Sequence, residues 1–186
     1  TITAASDDKF YDGIALTNSG SNITSGTLVT GHTYTATVTG SQLYVGTSSN
    51  VASDAVIMNG ETEVTLNYAI TYAPGTLEVK DADIAITVIA DDNEKVYDGT
   101  PLTDDGWTYT GTLATGDQLF VTVVGSITDV GTKVNEITKV KVMNGTTDVT
   151  ANYNITEVDG KLEITARPIT ITAASDDKFY DGIALT

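Results

Sequence analysis

The chain lacks cysteine altogether and contains a single histidine, His32, among its 186 residues. The missing cysteines exclude a disulfide framework, a thiol nucleophile and a cysteine-based zinc site. One histidine leaves little material for a His-based metal cage or a Ser-His-Asp triad. No other nucleophile–base constellation stands out, so the sequence predicts a protein that is not an enzyme.

Basic residues are also scarce, with 9 lysines and arginines against 25 acidic residues and a formal net charge of −16. Such a charge repels phosphate backbones and anionic lipid surfaces, which argues against a nucleic-acid partner. No apolar run approaches the roughly 20 residues that a helix needs to cross a bilayer, so no membrane insertion is expected. The opening Thr1-Ile2-Thr3 carries no secretion signal, and we interpret the chain as part of a longer protein.

What the chain does contain is a repeat. Residues 1–17 recur unchanged at 170–186, an offset of 169. Between them, Lys9-Phe10-Tyr11-Asp12-Gly13 corresponds to Lys95-Val96-Tyr97-Asp98-Gly99 at an offset of 86, and later landmarks match at an offset of 85. A collinear series of this kind indicates tandem modules. We predict module 1 at 1–83, module 2 at 84–168, and the opening strand of a third, truncated module at 169–186.

Each module has residue patterns that are typical of β-strands joined by tight turns. Residues 33–39 alternate, with Tyr34, Ala36 and Val38 on one face and threonines on the other, and no window shows a helical stripe. Asn59-Gly60 and Asn144-Gly145 predict type I′ hairpins. Pro74-Gly75 and Asp159-Gly160 predict a second hairpin before the last strand of each module.

Six or seven short strands per module, separated by close turns, favour an all-β fold. We predict two tandem immunoglobulin-like β-sandwich modules in an elongated array. A β-grasp-like module is the alternative, weakened by the missing helix pattern. The joints at 80–83 and 166–168 are short and are not Gly/Ser-rich, which predicts a semi-rigid rod.

The ordered landmarks resemble a known family. They are Lys-x-Tyr-Asp-Gly-x-x-Leu-Thr, Val-Gly-Thr, Asn-Gly, and Asn-Tyr-x-Ile-Thr followed by Gly-x-Leu-Glu. This set is similar to the YDG/MBG-type tandem repeats of large bacterial surface proteins, over both modules and the terminal segment. The resemblance implies an acidic, extracellular stalk of a bacterial cell-surface adhesin, with neighbouring modules of the same chain as its partners. The competing hypothesis is an array that itself binds a host glycan or glycoprotein through avidity.

The Tyr-Asp-Gly motif is the first candidate site. In one interpretation its tyrosine contacts a ligand. In the favoured interpretation the tyrosine packs the edge of the sandwich while Asp-Gly makes a turn. The three copies are Tyr11-Asp12-Gly13, Tyr97-Asp98-Gly99 and Tyr180-Asp181-Gly182.

Repeated lysines and asparagines suggest a second candidate, an intramolecular isopeptide bond such as those of Gram-positive surface domains. The pairs would be Lys9 with Asn67 and Lys95 with Asn152. The reaction needs a buried neutral lysine and a protonated acid. The repeated acids Glu78 and Glu163 alternate outward, however, and an asparagine before tyrosine also serves as a turn residue.

Acidic and aromatic residues supply the remaining candidates. Asp81, Asp83, Asp91 and Asp92 are candidates for calcium, without an EF-hand loop, and the alternative is a solvated anionic surface. No other cofactor is expected.

Trp107 and Tyr109 alternate on one strand and form a candidate glycan contact, with core packing of Trp107 as the alternative. His32 is expected to be solvated at a turn. Finally, residues 170–186 duplicate an opening strand, which predicts head-to-tail association between copies.

Overall fold

The computed structural model describes all residues, 1–186, as an all-β chain with two short 3-10 helices and no α-helix. The all-β prediction is confirmed. Without an α-helix, the β-grasp alternative lacks the element that would cover its sheet. The module 1 strands are β1 (Ile2–Ala4), β2 (Asp7–Phe10), β3 (Ser21–Ile23), β4 (His32–Thr39), β5 (Gly46–Asn59), β6 (Thr62–Glu63), β7 (Tyr72–Ala73) and β8 (Gly75–Lys80), with a 3-10 helix at Thr65–Asn67. The module 2 strands are β9 (Ile84–Ala90), β10 (Asn93–Val96), β11 (Trp107–Gly111), β12 (Asp117–Val124), β13 (Gly131–Asn144), β14 (Thr147–Asp148), β15 (Tyr153–Val158) and β16 (Gly160–Thr165), with a 3-10 helix at Thr150–Asn152.

Both modules have the same strand topology. One sheet has the order β3-β1-β7 in module 1 and β11-β9-β15 in module 2. The other has the order β2-β8-β5-β4, with β6 on β5, and β10-β16-β13-β12, with β14 on β13. The opening strands run parallel to the closing strands, β1 beside β7 and β2 beside β8, and module 2 repeats this arrangement. All other pairings are antiparallel.

Alternating patterns in the sequence become alternating burial in the strands. In β4, Tyr34, Ala36 and Val38 are half-buried and the intervening threonines are exposed, as predicted. In β8, Leu77 and Val79 are buried on either side of an exposed Glu78. These strands follow the period of two because one face of each sheet packs inward.

The hairpin after β5 differs from the prediction by one residue. Asn59 pairs with Thr62, so the two central turn residues are Gly60 and Glu61. Only Gly60 has a positive φ, at 60°, which meets the requirement of a type II′ turn. The predicted type I′ turn centred on Asn-Gly is therefore wrong, and the same shift occurs at the Asn144↔Thr147 pair in module 2.

Pro74-Gly75 does not make a hairpin. β7 pairs with β1 in one sheet and β8 pairs with β5 in the other, so the closing strand passes directly from sheet to sheet. The opening strand passes between the same two sheets after Ala4. A Cβ on Gly75 would lie 2.3 Å from the Ala5 carbonyl oxygen, so the close approach of the two strands requires glycine. Asp159-Gly160 repeats this passage in module 2, where a Cβ on Gly160 would lie 2.3 Å from the Asp91 carbonyl oxygen.

A buried asparagine fixes each passage between the sheets. Asn50 on β5 is fully buried, and its Nδ2 donates to the carbonyl oxygens of Ala5 and Asn18, each at 2.8 Å. Its counterpart Asn135 on β13 donates to the Asp91 carbonyl oxygen at 3.0 Å. These amides satisfy the carbonyl oxygens of Ala5 and Asp91, which lie where the chain has left one sheet and not yet joined the next.

The hydrophobic core is not divided at the boundary between the modules. Separate small clusters lie within module 1, around Ile2 and Ala52, and within module 2, around Leu162. The largest cluster takes members from both of the predicted modules, because the short joint brings the two modules into contact. Its buried members are Tyr11, Leu16, Leu77, Val79, Ile86, Val88, Ala90, Val123, Ile137, Val142, Val149 and Tyr153.

Residues 166–186 form no strand and are exposed. The opening strand predicted for 169–186 is not formed there. Its duplicate in module 1 exists as β1 and β2 because β3, β7 and β8 flank it, whereas no strand flanks residues 170–186 in this structure.

No helix in the chain has the length and apolarity required to cross a bilayer.

Candidate functional site at the joint between the modules

The Lys-x-Tyr-Asp-Gly motif builds a turn from local contacts. Lys9 Nζ lies 2.6 Å from Asp12 Oδ1 and also donates to the Ile14 carbonyl oxygen. The Ile14 backbone N–H donates to the same Asp12 oxygen at 2.9 Å. Because the segment 170–186 forms the same turn without any sheet around it, the turn depends on local sequence. The corresponding ion pairs are Lys95–Asp98 at 2.8 Å and Lys178–Asp181 at 2.9 Å.

The lysine of each turn stabilises the charged form of its aspartate. The hydrogen bond from Lys9 lowers the pKa of Asp12, with help from the Ile14 backbone N–H. Hydrogen bonds from Lys95 and Lys178 lower the pKa of Asp98 and Asp181 in the same way. These pairs are solvated, so their effect is to order the turn and present its tyrosine rather than to supply much stability.

In module 1 the turn presents Tyr11 to module 2. Tyr11 is only 2% exposed, and its hydroxyl donates to Asp117 Oδ1 at 2.8 Å. Asp117 is the first residue of β12, so the hydrogen bond joins the end of one module to the start of a strand in the next. The tyrosine ring belongs to the hydrophobic cluster that both modules share.

Asp117 is the centre of the joint because its carboxylate accepts three hydrogen bonds. Besides Tyr11, Asn144 Nδ2 donates to Oδ1 at 2.7 Å and the Tyr153 hydroxyl donates to Oδ2 at 2.6 Å. Burial raises the pKa of Tyr11 and Tyr153, and their hydrogen bonds to the Asp117 carboxylate raise it further. Both phenols therefore stay protonated as donors at neutral pH, and such charge-assisted bonds are the strong ones.

The backbones of the two modules also meet at the motif. The Thr115 backbone N–H donates to the Asp12 carbonyl oxygen at 3.0 Å. Gly13 has φ +77°, and a Cβ there would lie 2.0 Å from the Thr115 carbonyl oxygen. The glycine is thus required twice, for its conformation and for the close approach.

Tyr11 and Asp117, which meet at this joint, each have a counterpart in the other module, and the two counterparts do not meet. Tyr97, the counterpart of Tyr11, is 38% exposed. His32, the counterpart of Asp117, has its Nδ1 2.7 Å from the hydroxyl of Tyr68, the counterpart of Tyr153. His32 is half-buried rather than solvated, which corrects the prediction, because Tyr68 covers it.

The structure does not bring the lysine and asparagine candidates together. The ammonium groups of Lys9 and Lys95 hold Asp12 and Asp98 instead. The asparagines lie in the two 3-10 helices, Asn67 exposed and Asn152 buried. Glu78 is exposed and Glu163 is paired with Lys161 at 2.7 Å, so neither acid stands beside a lysine–asparagine pair.

The four calcium candidates do not form one cluster. Asp81 and Asp83 lie in the joint, where Asp81 Oδ1 accepts the Asp83 backbone N–H at 3.1 Å. Asp91 and Asp92 lie where β9 leads into β10, and Asp92 Oδ1 accepts the Lys161 backbone N–H at 2.6 Å. No three His, Cys, Asp or Glu side chains in the chain are placed to hold a metal ion.

The aromatic candidates do lie together on β11. The rings of Trp107 and Tyr109 have centroids 6.4 Å apart and are tilted by 41°. Trp107 is half-buried and packs against the shared cluster, whereas Tyr109 is 42% exposed. Trp107 is thus partly a core residue, and Tyr109 carries most of the accessible aromatic surface.

Sequence reasoning placed the Tyr-Asp-Gly turn but missed its partners Asp117, Asn144 and Tyr153. The available signal was the position shared by Asp117 and His32, because each precedes a repeated tyrosine by the same 36 residues. In comparisons with known proteins, no family model, no curated protein and no solved structure matches the chain.

Proposed function

We propose that this chain is a non-catalytic spacer, a stalk segment of a large bacterial cell-surface adhesin that projects a distal binding region. In this proposal its modules are YDG/MBG-type repeats with an immunoglobulin-like sandwich arrangement, and they act outside the cell. The proposal rests on the repeated sequence, the shared topology of the two modules and the joint between them.

The joint around Tyr11 and Asp117 is the observation that carries the proposal. A spacer must hold the distal binding region at a fixed distance and orientation, and the contacts at this joint resist bending. Tyr11 is held at its hydroxyl by Asp117 and at its ring by the shared cluster. A bend at the joint would expose that cluster and leave buried donors without acceptors, both of which cost free energy. The net charge of −16 keeps a long array soluble.

A distance measurement across the joint tests the proposal. Because the chain has no native cysteine, spin labels at Thr37→Cys on β4 and Thr122→Cys on β12 report only on the two modules. A stiff spacer gives one narrow distance distribution. Gly13→Ala is expected to broaden or shift it, since the added Cβ meets the Thr115 backbone.

Gly99→Ala is the matched control for that measurement. Gly99 holds the same motif position with φ +82°, but nothing lies within 4 Å of an added Cβ. Its distribution is expected to equal that of the unsubstituted chain. A broad distribution in the unsubstituted chain, typical of a flexible tether, would contradict the spacer proposal.

The aromatic pair on β11 favours a second candidate function, binding of a host glycan or glycoprotein. The exposed Tyr109 ring beside Trp107 offers a surface on which a sugar ring can stack. The test is binding of the full chain to glycan and mucin arrays, with loss in Tyr109→Ala. Phe120→Ala is the control, because Phe120 is exposed on β12 and has no aromatic neighbour. Silence of the unsubstituted chain on both arrays would remove this candidate and leave the spacer.

A further inference from the structure

Asn144-Gly145 lies at the end of β13, where the joint between the modules holds the asparagine side chain. Asn144 Nδ2 donates to Asp117 Oδ1 at 2.7 Å and to the Thr115 carbonyl oxygen at 3.3 Å. From module 1, the Tyr44 hydroxyl lies 3.4 Å from Asn144 Oδ1 and 3.5 Å from the Asn144 carbonyl oxygen. This carboxamide is therefore contacted at both ends, at one end within module 2 and at the other across the boundary.

Asn-Gly is also the dipeptide in which an asparagine reacts most readily with its own backbone. The backbone nitrogen of the glycine attacks the asparagine Cγ, and the side-chain nitrogen leaves as ammonia. Glycine favours this reaction because it has no Cβ to obstruct the attack or to limit rotation of the backbone. The approach to Gly145 is open, since nothing lies within 4 Å of an added Cβ.

The folded hairpin slows this reaction in two ways. Asn144 pairs with Thr147, and its backbone must rotate out of this extended ladder before the ring can close. β14 supplies only two residues to that ladder, so this end of the hairpin opens more readily than a core strand. Once it has opened, the hydrogen bonds to Asp117 and Thr115 still restrain the carboxamide. The joint therefore controls how often Asn144 is free to react.

We propose that Asn144 is a self-modification site and that its conversion releases the joint. The Gly145 nitrogen loses its proton and bonds to Asn144 Cγ, the bond from Cγ to Nδ2 breaks, and the departing nitrogen leaves as ammonia with that proton. Water then opens the succinimide ring at either of its carbonyl carbons. The product at position 144 is an aspartate or an isoaspartate, and water is the only co-reactant.

An aspartate at position 144 does not replace the amide. The amide nitrogen donates to two acceptors, Asp117 Oδ1 and the Thr115 carbonyl oxygen. A carboxylate has no donor at neutral pH, and beside the Asp117 carboxylate it adds a like charge that repels. The Tyr11 hydroxyl donates to the same Asp117 oxygen, so the disturbance reaches the contact between the modules.

Isoaspartate changes the backbone as well as the charge. It routes the main chain through the former side chain, which adds one carbon to the backbone at position 144. The ladder pairs Met143 with Asp148 and Asn144 with Thr147, so the added carbon moves this end of β13 out of register. Because ammonia is lost, neither product returns to asparagine. The joint therefore loosens in one direction only as the protein ages.

Peptide mapping tests whether the reaction occurs. The full chain is incubated in mildly alkaline water enriched in heavy oxygen and is then cleaved with trypsin, which releases residues 142–161. We expect heavy oxygen at position 144 together with isoaspartate, because only the succinimide ring gives isoaspartate. Absence of conversion, or conversion to aspartate alone, would overturn the proposal.

The control of the reaction by the joint is tested with Gly13→Ala, which disturbs the joint without altering residue 144. We expect Asn144 to react about tenfold faster, a factor that corresponds to roughly one hydrogen bond lost from the closed form. Gly99→Ala is the matched control and should leave the rate unchanged, because an added Cβ there meets nothing. Equal rates at Asn144 in the two variants would contradict control by the joint.

Two further measurements separate opening of the joint from unfolding of a module. Asn59, in the corresponding turn of module 1, is an internal reference whose rate should be the same in all variants. Tyr11→Phe is the milder variant, since it removes one donor from Asp117 and adds no atom. It should raise the rate at Asn144 and leave the rate at Asn59 unchanged, and an equal rise at both asparagines would contradict the proposal.

The consequence of the reaction is tested with Asn144→Asp, which supplies one product directly. We expect its urea unfolding midpoint to fall, whereas Asn59→Asp should change it little because Asn59 is exposed. Tyr11→Phe should then cost less in the Asn144→Asp background than alone, since both changes act on the same Asp117 oxygen. Additive losses, or equal midpoints for the two aspartate variants, would overturn the link to the joint.

The inference rests, like the proposed function, on the joint, and the two fail in different ways. A broad spin-label distribution in the unsubstituted chain contradicts the spacer. A narrow distribution in a chain whose Asn144 yields no isoaspartate contradicts only the self-modification.

Discussion

Tyr11 and Tyr97 occupy the same motif in modules of the same topology, yet one is buried and the other is exposed. Both motifs form the same lysine–aspartate turn, with ion pairs of 2.6 and 2.8 Å. Tyr11 is 2% exposed because module 2 covers it, and Tyr97 is 38% exposed. The motif is therefore a local structure, and its role as a joint comes from the neighbouring module.

The receiving side of the joint shows the complementary difference. Asp117 and His32 stand at the same position, each bonded to a repeated tyrosine, Tyr153 and Tyr68. Only Asp117 also receives a tyrosine from the neighbouring module. The bond to the tyrosine of the same module occurs at both positions and therefore belongs to the fold of a module. The bond to Tyr11 occurs only at Asp117 and therefore belongs to the joint.

The largest expected effect comes from removing the centre of the joint. Asp117→Ala leaves Tyr11, Tyr153 and Asn144 without their common acceptor, and we expect the free energy of unfolding to fall by about 3 kcal/mol. His32→Ala, at the matching position, removes one hydrogen bond and should cost about 1 kcal/mol. Urea unfolding followed by circular dichroism measures both. Equal losses would contradict the assignment of Asp117 to the joint.

The substitutions Tyr11→Phe and Tyr97→Phe each remove the tyrosine hydroxyl from one motif. They therefore compare the buried tyrosine with the exposed one. Tyr11→Phe deletes a hydrogen bond to a carboxylate, so the expected loss is about 1.5 kcal/mol. Tyr97→Phe alters an exposed hydroxyl, and the change should stay within about 0.5 kcal/mol. The same urea titrations apply, and a cost at Tyr97 equal to that at Tyr11 would show that the tyrosine acts within its own module.

Alkaline pH should weaken the joint through its two phenols. Burial and Asp117 raise the pKa of Tyr11 and Tyr153 above the ordinary value of about 10. Below pH 10 the contribution is fully present. As pH rises further, the unfolded chain ionises first, so stability falls. Unfolding in urea between pH 8 and 11 should show a decline that is shallower in Tyr11→Phe, and an identical decline would exclude Tyr11 as a contributor.

The smallest effect concerns the turns themselves. Lysine hydrogen bonds lower the pKa of Asp12, Asp98 and Asp181, so we expect their carboxyls to titrate below the ordinary value of about 3.9. The contribution of each turn is present above that value and is lost as pH falls through the lowered pKa. Carbon NMR of the side-chain carboxyls measures all three. An unshifted Asp181 would show that the turn requires a surrounding module.

Sequence periodicity was sufficient where a strand has one buried face. The alternation at Tyr34, Ala36 and Val38 predicted β4, and the Leu-Glu-Val pattern predicted β8. The turn residues were less informative, because Asn59-Gly60 and Pro74-Gly75 both predict reversals. The strand pairing places the turn at Asn59-Gly60 one residue later than predicted. At Pro74-Gly75 the chain passes from one sheet to the other instead of reversing. Partners distant in sequence decide such cases.

Only the part of the site that lies within the Lys-x-Tyr-Asp-Gly motif was predictable from the sequence. Lys9, Asp12 and Gly13 act within a few residues of each other, so their turn can be inferred from the motif. Asp117 lies 106 residues from Tyr11, and no local pattern links them. The buried asparagines Asn50 and Asn135 were missed for the same reason, since the carbonyl partners Ala5 and Asp91, which directly follow β1 and β9, lie 45 and 44 residues away.

The parallel pairing of the opening and closing strands has a mechanical consequence for a chain stretched between its ends. β2 and β8 lie side by side and point the same way, so tension would slide one along the other. Sliding loads the hydrogen bonds of the ladder simultaneously, whereas peeling would break them one at a time. Resistance to force is governed by the unfolding rate under load. This strand geometry therefore suits a module that must stay folded while it is pulled.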